Sequence, residues 1–209
     1  MPNPTHAPAA PLYTRNARGL PVDVHTRGGK PVITGYAAVF YNPSDPGTEY
    51  RMYADMVERI MPGAFDKAIR EGDIRALFNH RDDNILGRVR AGTLRVWTDQ
   101  RGLKYEIDPP DTTAGRDVVE SIRRGDVTGS SFMFKPVANT YREVEGLYIV
   151  ERNEVELFDV GPVTFPAYTA TDTGVRAEVA EWIKSRSGTT PDAVKARARA
   201  VQVALAMSN

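Results

Sequence analysis

The chain contains no cysteine. That excludes disulfides, thiolate catalysis and cysteine-ligated zinc, and it fits an intracellular protein. Histidine is nearly as scarce: His6, His25 and His80. The first two lie in or beside an N-terminal stretch rich in proline and alanine, so a single histidine is left for a folded body. A metal held by several histidines has nothing to be built from. Charge of one sign is lacking too. The 27 Lys and Arg offset the 27 Asp and Glu, so the whole molecule has no field that would draw nucleic acid or an anionic membrane. No apolar run is long enough to span a bilayer, and the N-terminus lacks the apolar stretch of a secretory signal.

What is present is ordinary for a soluble globular protein: 41% apolar and 26% charged residues in 209. That length suffices for one domain with a core plus tails. Residues 1–30 read as a flexible lead with some strand near Leu20–Val24. Residues 31–170 read as the body, and residues 171–209 as a helical appendage.

Within the body, "PVITGYAAVFYNP" is rich in β-formers and ends in a Pro, Ser, Asp and Gly turn. "AFDKAIREGD" predicts a short helix. Pro62 suits its first turn, Phe65, Ala68 and Ile69 line one face, and Gly72 ends it. Val89, Leu94, Val96, Leu103, Tyr105 and Ile107 alternate with polar residues as strands do, around a turn at Asp99–Gly102. A second helix is predicted over "TTAGRDVVESIRRGDV". Thr112 or Thr113 caps it, Val118, Val119 and Ile122 form its stripe, and Gly125 ends it. Strands return from Gly129 to about Tyr168, turning near Glu145-Gly146. Helices are expected over 174–186 and 191–206.

The stretch "GDVTGSSFMF" places Ser130 and Ser131 between a glycine and an apolar run. A serine hydroxyl is inert without a neighbouring base. His80 follows the apolar Ala76, Leu77 and Phe78, a placement that half buries and half presents an imidazole, as a general base requires. The alternative is a surface histidine at a turn. Ser131 is preferred to Ser130, because it precedes Phe132 on an entering strand while Ser130 beside Gly129 reads as a turn residue. Both serines have the alternative of binding local backbone. Gly129 allows close approach of a peptide or a main-chain N–H, as an oxyanion site requires.

A base of this kind needs a third group to orient it. In "ERNEVELFDV", strand alternation puts Val155, Leu157 and Asp159 on one face and Glu154, Glu156 and Phe158 on the other. Asp159 is therefore the carboxylate on the more apolar face, with Glu154 and Glu156 as alternatives. Arg88 offers either oxyanion support or a structural ion pair. The Asp82-Asp83 pair reads as a solvated loop.

"ITGYAAVF", "IMPGAFDKAI", "LFNHRDDNILGR", "GSSFMF" and "LFDVGPVTFPA" occur, over residues 33–167, in the order seen in tailed-phage prohead (capsid maturation) serine proteases. The chain resembles that family. The resemblance implies an α+β fold that is mainly β: a closed or partly open antiparallel β-barrel wrapped by short helices, like the related herpesvirus assembly proteases. It implies a serine endopeptidase with His80, Ser131 and, less securely placed, Asp159 as its catalytic residues, and no metal or organic cofactor. The implied partners are the major capsid protein, with its N-terminal segment or delta domain, and the scaffold protein. A homo-oligomer is a further expectation; nucleic acid and membrane are not expected as partners. The implied location is the immature prohead in the host cytoplasm, with self-cleavage that could remove the appendage.

Two positions depart from the family pattern. Met133 stands where glycine is usual, which would crowd the cleft or alter substrate choice, and Gly161 stands where serine is usual. The rival readings are an inactive capsid-assembly or scaffolding protein on the same fold, and a β-rich binding module with no phage connection. For the appendage, Lys195, Arg197 and Arg199 suggest a scaffold-binding or oligomerising helix, or simply a soluble amphipathic one.

Overall fold

Eleven strands form among the described residues, which in this computed structural model are 12–17, 20–165 and 172–187. The chain divides into two units, 1–171 and 172–209. The first begins with β1 (Tyr13–Asn16), β2 (Asp23–Arg27), β3 (Lys30–Val39), β4 (Tyr50–Tyr53) and β5 (Met56–Ile60). Helix α1 (Asp66–Glu71) leads to β6 (Arg75–Leu77), β7 (Ile85–Arg88), β8 (Leu94–Thr98) and β9 (Gly102–Ile107). Helix α2 (Thr113–Arg124) precedes the long β10 (Gly129–Val144) and β11 (Leu147–Val163). In the second unit α3 spans Asp172–Ser187. The helix expected over 191–206, with Lys195, Arg197 and Arg199, lies outside the described residues.

Local chemistry accounts for the punctuation. The Thr112 side chain accepts from the N–H of Gly115 at the start of α2, and Gly125 ends the helix in the left-handed region at φ 80°. Val118, Val119 and Ile122 are buried as the stripe predicts. The β8–β9 turn closes where Asp99 Oδ1 accepts from the N–H groups of Arg101 (2.8 Å) and Gly102 (3.1 Å). Glu145 and Gly146 both have positive φ, the twist that a tight hairpin between β10 and β11 demands. Pro62 does not sit in α1, which begins at Asp66 with no side-chain cap on the preceding Phe65.

Two sheets result. One runs β1-β10-β11-β5-β4, with β6 joining β11 and carrying β7; the other runs β2-β3-β9-β8. Of the expected closed or partly open antiparallel barrel, the closed form is not found and the all-antiparallel pairing is corrected. Neither ladder closes on itself among the described residues, and β11 pairs in parallel with β5 and with β6. The physical reason is the length of β11. Its seventeen residues pair with β10 along one edge. They also take β5 at Tyr148–Arg152 and β6 at Asp159 and Val160.

Part of the stretch read as a lead lies in the sheets. β1 pairs with β10 and β2 with β3. An aromatic chain packs beneath β10. Phe132 meets Phe65 edge-on at 5.4 Å and stacks on Phe134 at 5.0 Å, and Phe134 meets Tyr13 at 5.7 Å. Tyr13, Phe65, Phe132 and Phe134 are all fully buried, so this layer is a rigid floor under the start of β10.

Candidate active site

Because successive residues of a strand face opposite ways, the two serines part company. Ser130 points inward, fully buried, its Oγ 2.7 Å from the Tyr105 hydroxyl beside Gly35. Burial pushes the Tyr105 phenol well above its ordinary range, and the bond to Ser130 only partly offsets this. Ser130 is thus a core residue in a strand, not a turn residue. Ser131 faces the other way.

β11 lies against β10 with Ser131 opposite Gly161 and Met133 opposite Asp159. Val155, Leu157 and Asp159 are buried, while Glu156 is exposed and Glu154 half-buried, but a register shift interrupts the strict alternation: Leu157 lies opposite Phe134 and Asp159 opposite Met133. Strand β6 then docks in parallel on the far edge of β11, Arg75 opposite Asp159 and Ala76 opposite Val160. It delivers the loop that carries His80.

The three side chains meet. His80 Nδ1 lies 2.6 Å from Asp159 Oδ1, and His80 Nε2 lies 2.7 Å from Ser131 Oγ. Asp159 is only 3% exposed, so its carboxylate depends on such a partner. Glu154 instead holds Lys67 at 3.1 Å, and no hydrogen bond joins either glutamate to His80. A hydroxyl, an imidazole and a buried carboxylate in this sequence can move a proton off the serine while the charged imidazole is held in place.

The loop is strained to achieve this. Asn79 and His80 both have φ of 56°, a region that residues with a Cβ seldom occupy and asparagine tolerates best. Asn79 is held on three sides. Its N–H donates to the Pro162 carbonyl (3.1 Å), its amide to Thr164 Oγ1 (3.1 Å), and its Oδ1 accepts from the Thr164 N–H (2.8 Å). The end of β11 thereby aims the imidazole. Sequence reasoning missed this positioning residue; an asparagine directly before the candidate base was the available signal. Asp82 and Asp83 are exposed, as a solvated loop requires, with Asp83 gripped by Arg81.

Arg88 ends β7, where its guanidinium binds Asp73 through Nε (3.0 Å) and Nη2. This is the ion-pair alternative. That contact holds the Asp73 carboxyl down to about 2. Gly129 begins β10, opposite Val163 and two residues before Ser131. A cleft of about 660 Å³ opens beside Asp159 between α1, β6 and β11.

The pattern of the caudovirus prohead serine proteases matches residues 20–185. The chain belongs to that family. In structure it is similar to the bacteriophage T4 capsid assembly protease gp21, at 14% identity and a TM-score of 0.46 over 74% of this chain and 98% of that one. No curated relative matches in sequence.

Family membership makes the two unusual positions worth locating. Met133 lies two residues beyond Ser131 on the same face of β10, half-buried opposite Asp159. A Cβ at Gly161 would stand 2.1 Å from the Leu77 carbonyl oxygen. Glycine therefore lets the end of β6 close onto β11, and serine does not fit this backbone.

One further contact touches the nucleophile candidate. The Ser131 hydroxyl donates to the main-chain carbonyl of Arg15 at 2.7 Å, because β1 runs antiparallel beside β10 with Asn16 opposite Ser131.

Proposed function

We propose that this member of the prohead protease family is a serine endopeptidase of capsid maturation. The observation that carries the reading is His80, with one ring nitrogen on Asp159 and the other on Ser131. His80 Nε2 takes the hydroxyl proton as Ser131 Oγ bonds to the peptide carbonyl carbon. Asp159 keeps the imidazole in the right tautomer and offsets its charge. The proton then passes to the leaving amine as the C–N bond breaks. Water, deprotonated by the same imidazole, releases the acyl group from Ser131.

Main-chain N–H groups near Gly129 are the proposed oxyanion donors, since the Arg88 guanidinium is engaged by Asp73. The chemistry requires no cofactor. The proposed substrates are the scaffold protein and the N-terminal segment or delta domain of the major capsid protein, together with the enzyme itself. The proposed setting is the immature prohead inside the host cell, and family membership supports association with capsid proteins.

Co-expression with the cognate capsid protein tests this. The parent chain should shorten the capsid protein and Ser131→Ala should leave it at full mass. Processing that persists in Ser131→Ala, but stops in Ser130→Ala, would move the nucleophile to the neighbouring residue.

A further inference from the structure

β1 places this chain's own backbone against the nucleophile candidate. Tyr13, Thr14, Arg15 and Asn16 lie opposite Phe134, Met133, Phe132 and Ser131, and the Arg15 carbonyl accepts from Ser131 Oγ. An extended peptide added to a strand edge is a common way to bind a substrate chain.

Two of its side chains, Tyr13 and Arg15, are buried. Tyr13 is fully buried against Phe134. Arg15 is 6% exposed, its Nε on Glu58 Oε2. The other carboxylate oxygen of Glu58 takes Arg152 Nε at 2.6 Å. Burial works against charge on Glu58, but the two guanidiniums outweigh it and lower its pKa. Glu58 and Arg152 are both fully buried and form a neutral pair, to which β1 brings a second cation.

A count of protons shows what β1 does to the site. Ser131 has one hydroxyl proton, and two acceptors face it: the Arg15 carbonyl and His80 Nε2. With the hydroxyl donated to the Arg15 carbonyl, its proton is not offered to His80 Nε2. Ser131 must leave the Arg15 carbonyl before its proton can pass to the imidazole. Finally, the residues that match the family pattern begin at 20, after β1.

We propose that Tyr13–Asn16 occupies the substrate strand position on β10 and holds the enzyme latent, and that the site takes peptides with an aromatic residue two positions before an arginine seated on Glu58. This rests on the protease reading above. A substrate strand would replace both the ladder bonds and the aromatic contact of β1, so displacement is an exchange. Cleavage would fall after the arginine, whose carbonyl lies at Ser131.

The absence of native cysteine makes a reversible test direct. Thr14→Cys with Met133→Cys puts two thiols on directly paired residues of β1 and β10, within disulfide range for antiparallel partners. The full-length variant is labelled with a fluorophosphonate before and after reduction. The disulfide form should react at least about tenfold more slowly than the reduced form. Equal rates would overturn latency while leaving the protease reading intact; no labelling of Ser131 in either form would overturn the protease reading and this one with it.

Specificity is read on the parent chain with synthetic peptides. Peptides of the pattern Tyr-x-Arg should be cut after the arginine at least about tenfold faster than their Tyr-x-Gln counterparts. Equal rates would remove Glu58 from substrate selection.

Discussion

β10 has two neighbours of unlike origin. On one side β11 follows in the chain, joined by a tight turn and paired over almost the whole strand. On the other, β1 supplies four residues, and its contact with Ser131 spans 116 positions of sequence. The β11 side assembles the site: Asp159 comes from β11 itself, and β6 and the Asn79–His80 loop are aligned on it. The β1 side covers the site. A long hairpin pays its loop-closure entropy once and locally, so it makes a firm base for side chains that must be held within fractions of an ångström. β1 is paired over only four residues but buries Tyr13 and Arg15, so its displacement calls for an incoming strand that fills the same places. Construction and access are thus divided between the two edges of one strand.

Perturbing the β11 side should damage chemistry in graded steps. Ser131→Ala or His80→Ala should lower peptide hydrolysis by about a million-fold, to the background left by binding and oxyanion donors, as measured in single-turnover assays. Asp159→Asn should cost about 10⁴-fold, because the amide favours the wrong imidazole tautomer while leaving substrate KM nearly unchanged. Asn79→Ala should cost about 10²-fold in kcat through a misplaced imidazole. Gly161→Ser should behave similarly, because its Cβ meets the Leu77 carbonyl. Normal kcat in both would show that the end of β11 does not aim His80.

Removing the floor beneath β10 tests stability rather than chemistry. Phe132→Ala should cost about 4 kcal/mol in urea unfolding, since a fully buried aromatic leaves a cavity that its neighbours cannot fill. The smallest effect is expected where β7 is tied to the start of β6 by Arg88 and Asp73. The folded-state pKa of Asp73, about 2, lies below its ordinary 3.8. Its contribution is therefore present above pH 3.8 and lost as pH falls towards 2. The difference in urea midpoint between the parent and Asp73→Asn should shrink over that window. A constant difference would mean the pair has no linked stability.

Much of the site was legible before the fold. His80 followed an apolar run, Ser131 opened a strand, and Asp159 was preferred to Glu154 and Glu156 by an alternation that a register shift before Asp159 interrupts. Each of these signals is local. The parts not legible are those that depend on distant pairing. Four residues of β1 carry no measurable period, so Tyr13 and Arg15 read as part of a flexible lead. Glu58 was not singled out, because the two arginines that bind it come from β1 and β11. The parallel docking of β5 and β6 on β11 was invisible for the same reason: alternation says which face a residue occupies, not which strand lies at either edge. Gly161 stood out as a departure, but its purpose appeared only when the Leu77 carbonyl was seen against it.

The most direct test of the central claim is to map a fluorophosphonate adduct on the full-length protein by mass spectrometry. The reagent acts irreversibly, so even brief openings of β1 accumulate product. The account predicts a single adduct, on Ser131, that is lost in His80→Ala. An adduct elsewhere, or equal labelling of Ser131 in the His80→Ala variant, would contradict it.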